Sequence, residues 1–107
     1  MATFKQVINA VMRSEKVADL SVRQFAVLYH IDRTGKRRPE RFTSNVAKAL
    51  GLNKSAVTRA CDALEKGSGY LRRLKVPEDA RKTEIQITDA GKALLAWIAT
   101  GGQGEAP

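Results

Sequence analysis

The chain has 107 residues, 43% of them hydrophobic and 28% charged, which fits one globular domain and excludes two ordinary domains or a wholly disordered chain. Nineteen Lys and Arg against eleven Asp and Glu give a formal charge of +8, so the expected partner is a polyanion. No apolar run approaches the roughly 18 to 20 residues that cross a bilayer, the opening stretch has no small-residue cleavage site, and the single Cys61 forms no internal disulfide, so a cytoplasmic, nucleoid-associated protein with no membrane partner is expected.

Phe4, Val7, Ile8, Val11 and Met12 recur at helical spacing behind Thr3, a capping residue, and predict a helix to about Arg13. Ser21 and Gln24 form the two ends of a capping box. They open a second helix whose apolar stripe is Phe25, Leu28, Tyr29 and Ile31. Gly35 and Pro39 then interrupt, leaving residues 34–41 as a basic loop and Phe42 as one residue of a short strand.

Thr43 or Ser44 can cap a brief helix with Val46, Ala47 and Leu50 inward, which Gly51 stops by taking a positive φ. Asn53 caps the next helix, with Val57, Ala60, Cys61 and Leu64 inward, and Gly67 and Gly69 end it. Residues 70–74 and 83–87 read as two strands joined through turn material at 77–80. Thr88 caps a last helix carrying Leu94, Trp97 and Ile98. Residues 100–107 offer nothing to bury and read as a flexible tail after a single domain over 1–99. The fold class is therefore mainly α with a small β-hairpin wing, a winged helix-turn-helix.

The charge is concentrated. Residues 33–82 hold 14 basic and 5 acidic side chains, a net of +9, and the rest of the chain carries −1. Within that region the pair of helices over 43–62 has the small Ala47, the turn glycine Gly51 and the apolar Val46, Leu50, Leu52, Val57 and Ala60 that lock a helix-turn-helix together. Its second helix, about 54–66, then presents Asn53, Lys54, Ser55, Thr58, Arg59 and Asp62 outward.

Such a helix enters the major groove of double-stranded DNA with its N-terminal half against base edges. Arg59 can meet guanine O6 and N7 together, and Asn53, Ser55 and Thr58 join it as base readers. Lys54, Thr43, Ser44, Arg72, Arg73 and Lys75 are candidates for the phosphate backbone. In the wing, about 75–82, Arg81 and Lys82 suit a narrow minor groove, and Asp79 either holds the Arg81 guanidinium or simply forms the turn. Lys36, Arg37, Arg38 and Arg41 read equally as a further backbone clamp or as a solvated loop. Solvated helix residues remain the plain alternative for each member of the set.

These segments together resemble the MarR family of bacterial regulators. The resemblance rests on Leu20-Ser-Val-Arg-Gln-Phe-Ala-Val-Leu28, Ala47-Lys-Ala-Leu-Gly-Leu-Asn-Lys-Ser-Ala-Val-Thr-Arg59, Leu64-Glu-Lys66, Pro77-Glu-Asp-Ala-Arg81 and Ile87-Thr-Asp-Ala-Gly91. It implies a transcriptional regulator, a symmetric dimer on a palindromic operator, and often release by a small phenolic ligand. Family members carry long helices on both sides of the winged domain. Here 19 residues precede Leu20 and 19 follow Thr88, which argues against a small-molecule effector. Phe4, Val7, Ile8 and Val11 could pack on Leu94, Trp97 and Ile98 within one chain or across a homodimer.

Cys61 reads as a buried small hydrophobe and His30, the only histidine, as structural, with no metal or other cofactor expected. No nucleophile, base and orienting residue assemble, so the chain is not expected to be an enzyme. The competing readings are a protein-interaction adaptor and a sequence-tolerant architectural DNA-binding protein.

Overall fold

The structure, a computed structural model, describes residues 2–14 and 19–107. Among the described residues it contains five α-helices and one two-stranded antiparallel hairpin. The helices are α1 (Phe4–Arg13), α2 (Val22–Arg33), α3 (Thr43–Leu50), α4 (Lys54–Asp62) and α5 (Asp89–Ala99). The hairpin is β1 (Leu71–Val76) and β2 (Asp79–Ile87), and a 3-10 turn spans Arg38–Arg41.

Local chemistry starts most helices. Both capping boxes form: the Thr3 hydroxyl accepts from the Gln6 amide while the Gln6 side chain accepts from the Thr3 amide, and Ser21 and Gln24 do the same. Asn53 Oδ1 accepts from the Ala56 amide at 2.7 Å, and the Thr88 hydroxyl accepts from the Gly91 amide at 3.2 Å. Helix α3 departs from expectation. Its N-cap is Phe42, with no side-chain cap, because the Thr43 hydroxyl turns toward the hairpin and donates to the Thr83 carbonyl.

Gly51 takes φ +66° after α3, and Leu52 N–H bonds back to the Ala47 carbonyl at 2.9 Å. That left-handed residue costs little because glycine has no Cβ. It turns the chain sharply enough for α4 to cross α3. After Asp62, α4 continues in a wider π-helical turn (Ala63–Gly67) rather than as α-helix to residue 66.

The core joins all of these elements. Val27, Leu28 and Ile31 of α2 meet Val46 and Ala47 of α3, Val57, Ala60 and Cys61 of α4, and Leu64 beyond it. Leu71 and Ile85 contribute the inner face of the hairpin, and Leu94, Leu95 and Ile98 seal it from α5. Each fully buried aliphatic side chain contributes about 1.5–3 kcal/mol of transfer free energy.

The hairpin is longer than its turn residues suggested. Pairing runs from Leu71↔Ile87 to Lys75↔Thr83, and an irregularity follows before Val76↔Asp79. Only Pro77 and Glu78 therefore lie outside the strands, and residues 80–82 bulge from β2. Burial of Val76 holds β1 in register beyond Leu74. Phe42 forms a bridge to Glu84, the third strand position read from sequence.

Two expectations about the chain ends need correction. The first residues of the 100–107 segment are packed rather than loose. Gly101 and Gly102 take positive φ, and their amides bond to the Ile98 and Trp97 carbonyls. Their own carbonyls accept from the Arg13 guanidinium at 2.9 and 3.0 Å, and Trp97 Nε1 donates to Gly104 O. On α1, only Val7 and Val11 of the predicted seam pack on the core; Phe4 and Ile8 face outward with Met12.

Candidate nucleic-acid interface

The recognition surface is built by α4 and the wing. With Val57, Ala60 and Cys61 locked inward, α4 leaves Asn53, Lys54, Ser55, Thr58 and Arg59 exposed along one side. Two of them are partly engaged: Asn53 keeps only its Nδ2 donors beyond the cap, and the Thr58 hydroxyl donates to the Lys54 carbonyl at 3.0 Å. Ser55 and Arg59 remain open.

A small cavity of about 80 Å³ lies where α3, α4 and the wing converge, lined by Ser44, Lys54, Arg81, Lys82 and neighbouring residues. The uncapped N-terminus of α3 opens toward it, so backbone amide donors and the positive end of the helix dipole add to three cationic side chains. Thr43 borders this cavity but is buried, and its hydroxyl is committed to Thr83.

Ion pairs divide the basic residues into two groups. Every acidic side chain between Arg33 and Lys82 is paired with an arginine: Glu40 with Arg37, Asp62 and Glu65 with Arg73, Glu78 with Arg38, and Asp79 with Arg81. Glu84 adds Arg38 and Arg41. Among the described residues of that stretch, Arg33, Lys36, Lys48, Lys54, Arg59, Lys66, Arg72, Lys75 and Lys82 form no ion pair, and of these Lys54, Arg59 and Lys82 stand on α4 and the wing. Lys82 does stand 5.3 Å from the Phe42 ring centroid.

Arg73 sits differently from the backbone contact anticipated for it. Arg73 is half-buried between Asp62 and Glu65, tying β1 to α4 and its π-turn, with Nε 2.7 Å from Glu65. Its hydrogen bond holds the Asp62 carboxyl below the usual carboxylate range. Arg73 is thus a structural tie and not a free phosphate ligand. Arg72 is exposed, and its Nε donates to Gln86 at 2.9 Å, leaving its terminal nitrogens open.

Asp79 holds Arg81 as the sequence suggested. Its carboxylate accepts from the Arg81 backbone amide at 3.0 Å and from Nε and Nη2 at 3.1 and 3.3 Å. Those bonds also lower the Asp79 pKa. The Arg81 side chain stays 91% exposed, aimed yet unburied.

Three of the four basic loop residues are engaged within the fold, and Lys36 stands in solvent. Arg37 donates to the Thr34 and Arg33 carbonyls, while Arg38 and Arg41 converge on Glu84, whose side chain is 7% exposed. Sequence reasoning missed Glu84, because a lone acid in a strand carries no local sign of partners 43 and 46 residues away. Cys61 is buried as expected, and burial pushes its thiol up to about 11. Among the described residues no group of His, Cys, Asp and Glu could hold a metal ion, and no helix is long and apolar enough to cross a membrane.

Two packed helices across a glycine turn, followed by a hairpin bridged to the residue before them, define a winged helix-turn-helix. The MarR family model matches residues 20–83, well over half of the chain, and the chain belongs to that family. It is similar to the HTH-type transcriptional regulator PecS of Dickeya dadantii (strain 3937), with 39% identity over 77 residues, 71% of this chain and 45% of PecS. The chain thus spans less than half the length of that relative. Among solved structures, the S. aureus MepR–DNA complex superposes with a TM-score of 0.74 at 20% identity, over 91% of this chain and 73% of that one. Streptococcus pneumoniae FabT in complex with DNA gives 0.61 at 26% identity, over 80% and 57%.

Proposed function

We propose that this chain is a sequence-specific double-stranded DNA-binding transcriptional regulator. Helix α4 enters the major groove and the wing lies against the adjacent minor groove. The observation that carries the reading is the convergence of positive charge on α4 and the wing: Lys54, Arg81 and Lys82 line one cavity, and Lys54, Arg59 and Lys82 form no ion pair among the described residues. Arg59 is the base reader, flanked by Asn53, Ser55 and Thr58. Ser44, Lys54 and the α3 amides hold one phosphate in the 80 Å³ cavity, with Lys75 and the terminal nitrogens of Arg72 on neighbouring phosphates. Arg81 and Lys82 supply the wing contact. MepR and FabT, both solved with DNA, support the reading.

The test is selection from a randomised duplex library, followed by titration of the selected duplex and a scrambled one in rising salt. A defined motif with the scrambled duplex much weaker is expected. Equal, salt-sensitive binding to both would replace the reading with an architectural role, and no binding at low salt would leave a protein adaptor. Arg59→Ala is expected to cost about 1–3 kcal/mol on the selected duplex and to relax one base pair, whereas Lys54→Ala weakens every duplex alike and lowers the salt slope by about one. Equal losses on all duplexes for both variants would overturn the division of roles.

The proposal includes a homodimer through the terminal helices. Phe4, Ile8 and Met12 lie one turn apart on α1 and are exposed by 82, 45 and 72%, an apolar face that a second copy would cover. Light scattering at micromolar concentration is expected to give the mass of two chains, and the mass of one would count against it.

A further inference from the structure

We propose that Arg38 is a clasp for the wing: held on Glu84, it grips Glu78 at the hairpin turn and thereby aims Arg81 and Lys82. The inference rests on the DNA-binding reading above and assigns Arg38 a positioning role rather than a contact with DNA.

A hairpin tip with only two turn residues and a bulge over 80–82 has little of its own to fix its direction. The contacts that fix it come from the 3-10 turn and α3. Arg38 Nε donates to Glu84 Oε1 at 2.9 Å, and Nη1 donates to both Glu78 oxygens at 3.2 and 3.3 Å. The guanidinium also lies 5.8 Å from the Phe42 ring centroid, and Lys82 lies 5.3 Å from that centroid. Thr43 donates to the Thr83 carbonyl from the same side.

An exposed ion pair usually contributes little, because two long side chains must be ordered to make it. Here that ordering is already done. Glu84 is buried and also holds Arg41 at 3.0 Å and Gln86 at 3.1 Å, so Arg38 is presented to Glu78 in a fixed orientation. Preorganisation of this kind raises the return from a planar fork. Glu78 is followed directly by Asp79, which holds Arg81 through three hydrogen bonds. The chain of contacts therefore runs from a buried acid, through Arg38, to the wing arginine.

Glu78→Gln separates positioning from simple charge. Removing a negative charge beside DNA should tighten binding if electrostatics alone operates, whereas loss of a clasp should weaken it. Wild type, Glu78→Gln, Arg38→Gln and the double variant are compared by fluorescence anisotropy on the selected duplex and on one whose wing-facing A·T pairs are changed to G·C. The expected result for Glu78→Gln is roughly threefold weaker binding to the selected duplex, in line with a side-chain ion pair. The preference for A·T at the wing should fall while the slope against salt and the thermal midpoint stay unchanged. The double variant should be no worse than Arg38→Gln alone. Equal or tighter binding by Glu78→Gln overturns the clasp, as does a salt slope reduced by about one in Arg38→Gln, which would make Arg38 a phosphate contact. Wild type that binds no duplex overturns the DNA-binding reading itself, before any variant is compared.

Discussion

Gly91→Ala is expected to destabilise the fold by about 3 kcal/mol, the upper part of the range for forcing atoms into a filled site. That corresponds to a thermal midpoint lower by roughly 12 °C or more in a domain of this size. Gly91 lies in the first turn of α5, where the helix sits down on the base of the hairpin. An added Cβ would stand 2.5 Å from the Tyr70 carbonyl oxygen and 2.8 Å from Ile87 Cγ1. The Ile87 side chain can yield; the carbonyl cannot, because it accepts from the Thr88 amide at 3.0 Å while the Thr88 hydroxyl donates to the Gly69 carbonyl at 2.7 Å.

Helix propensity predicts the opposite sign, since alanine in a helix is favoured over glycine by about 1 kcal/mol. The sign alone therefore decides which effect wins. Urea unfolding gives it directly, and a midpoint equal to or above wild type would show that the helix has room to shift. Gly67→Ala serves as the control: its Cβ meets nothing within 4 Å and its φ is not positive, so it should be neutral or slightly stabilising.

The parts of the fold that were legible in the sequence are the parts decided within a few residues. Thr3 with Gln6, Ser21 with Gln24, Asn53, Thr88 and Gly51 all act over one helical turn, and the apolar stripe of α4 buries the residues its spacing selects. On α2, Leu28 and Ile31 turn inward as read, but Tyr29 stays 52% exposed and Val27, outside the stripe, is buried in its place. The α4 stripe also fixes which side chains of that helix remain outside, so the exposed face from Asn53 to Arg59 was readable from the sequence. Thr43 was misread as a cap because its hydroxyl had a competing acceptor 40 residues away on β2. Arg73 was misread as a phosphate ligand for the same kind of reason: β1 returns it to Asp62 and Glu65, a proximity set by the hairpin's docking on α4. The 100–104 segment looked unable to bury anything. Its glycines supply carbonyls that Arg13 reaches across 88 and 89 positions of sequence. Charge counted along the chain therefore gave the size of the positive excess and not its carriers, because it could not show which arginines the fold consumes.

Glu84 is the buried acid that holds two of those arginines, and Glu84→Ala is expected to cost about 3 kcal/mol at neutral pH. That is the low end for removing one partner of a buried ion pair, since Arg38 keeps 39% of its side chain in solvent while Arg41 keeps 16%. The loss would come from leaving two guanidinium groups close together with no carboxylate between them, not from the lost methylene contacts. Burial alone would raise the Glu84 pKa. Hydrogen bonds from Arg38, Gln86 and Arg41, with the charge of Arg41, outweigh it and bring the carboxyl from 4.5 down to about 2. A carboxyl with a depressed folded-state pKa stabilises fully above its unfolded pKa, and the contribution is lost as pH falls from about 4.5 toward about 2. The gap in unfolding free energy between wild type and Glu84→Ala should therefore be widest near pH 7 and should narrow through that acid window. Urea titrations at pH 7, 4 and 2.5 measure it. A gap of constant size across the three would mean that Glu84 contributes by shape alone and that Arg38 and Arg41 find solvent without it.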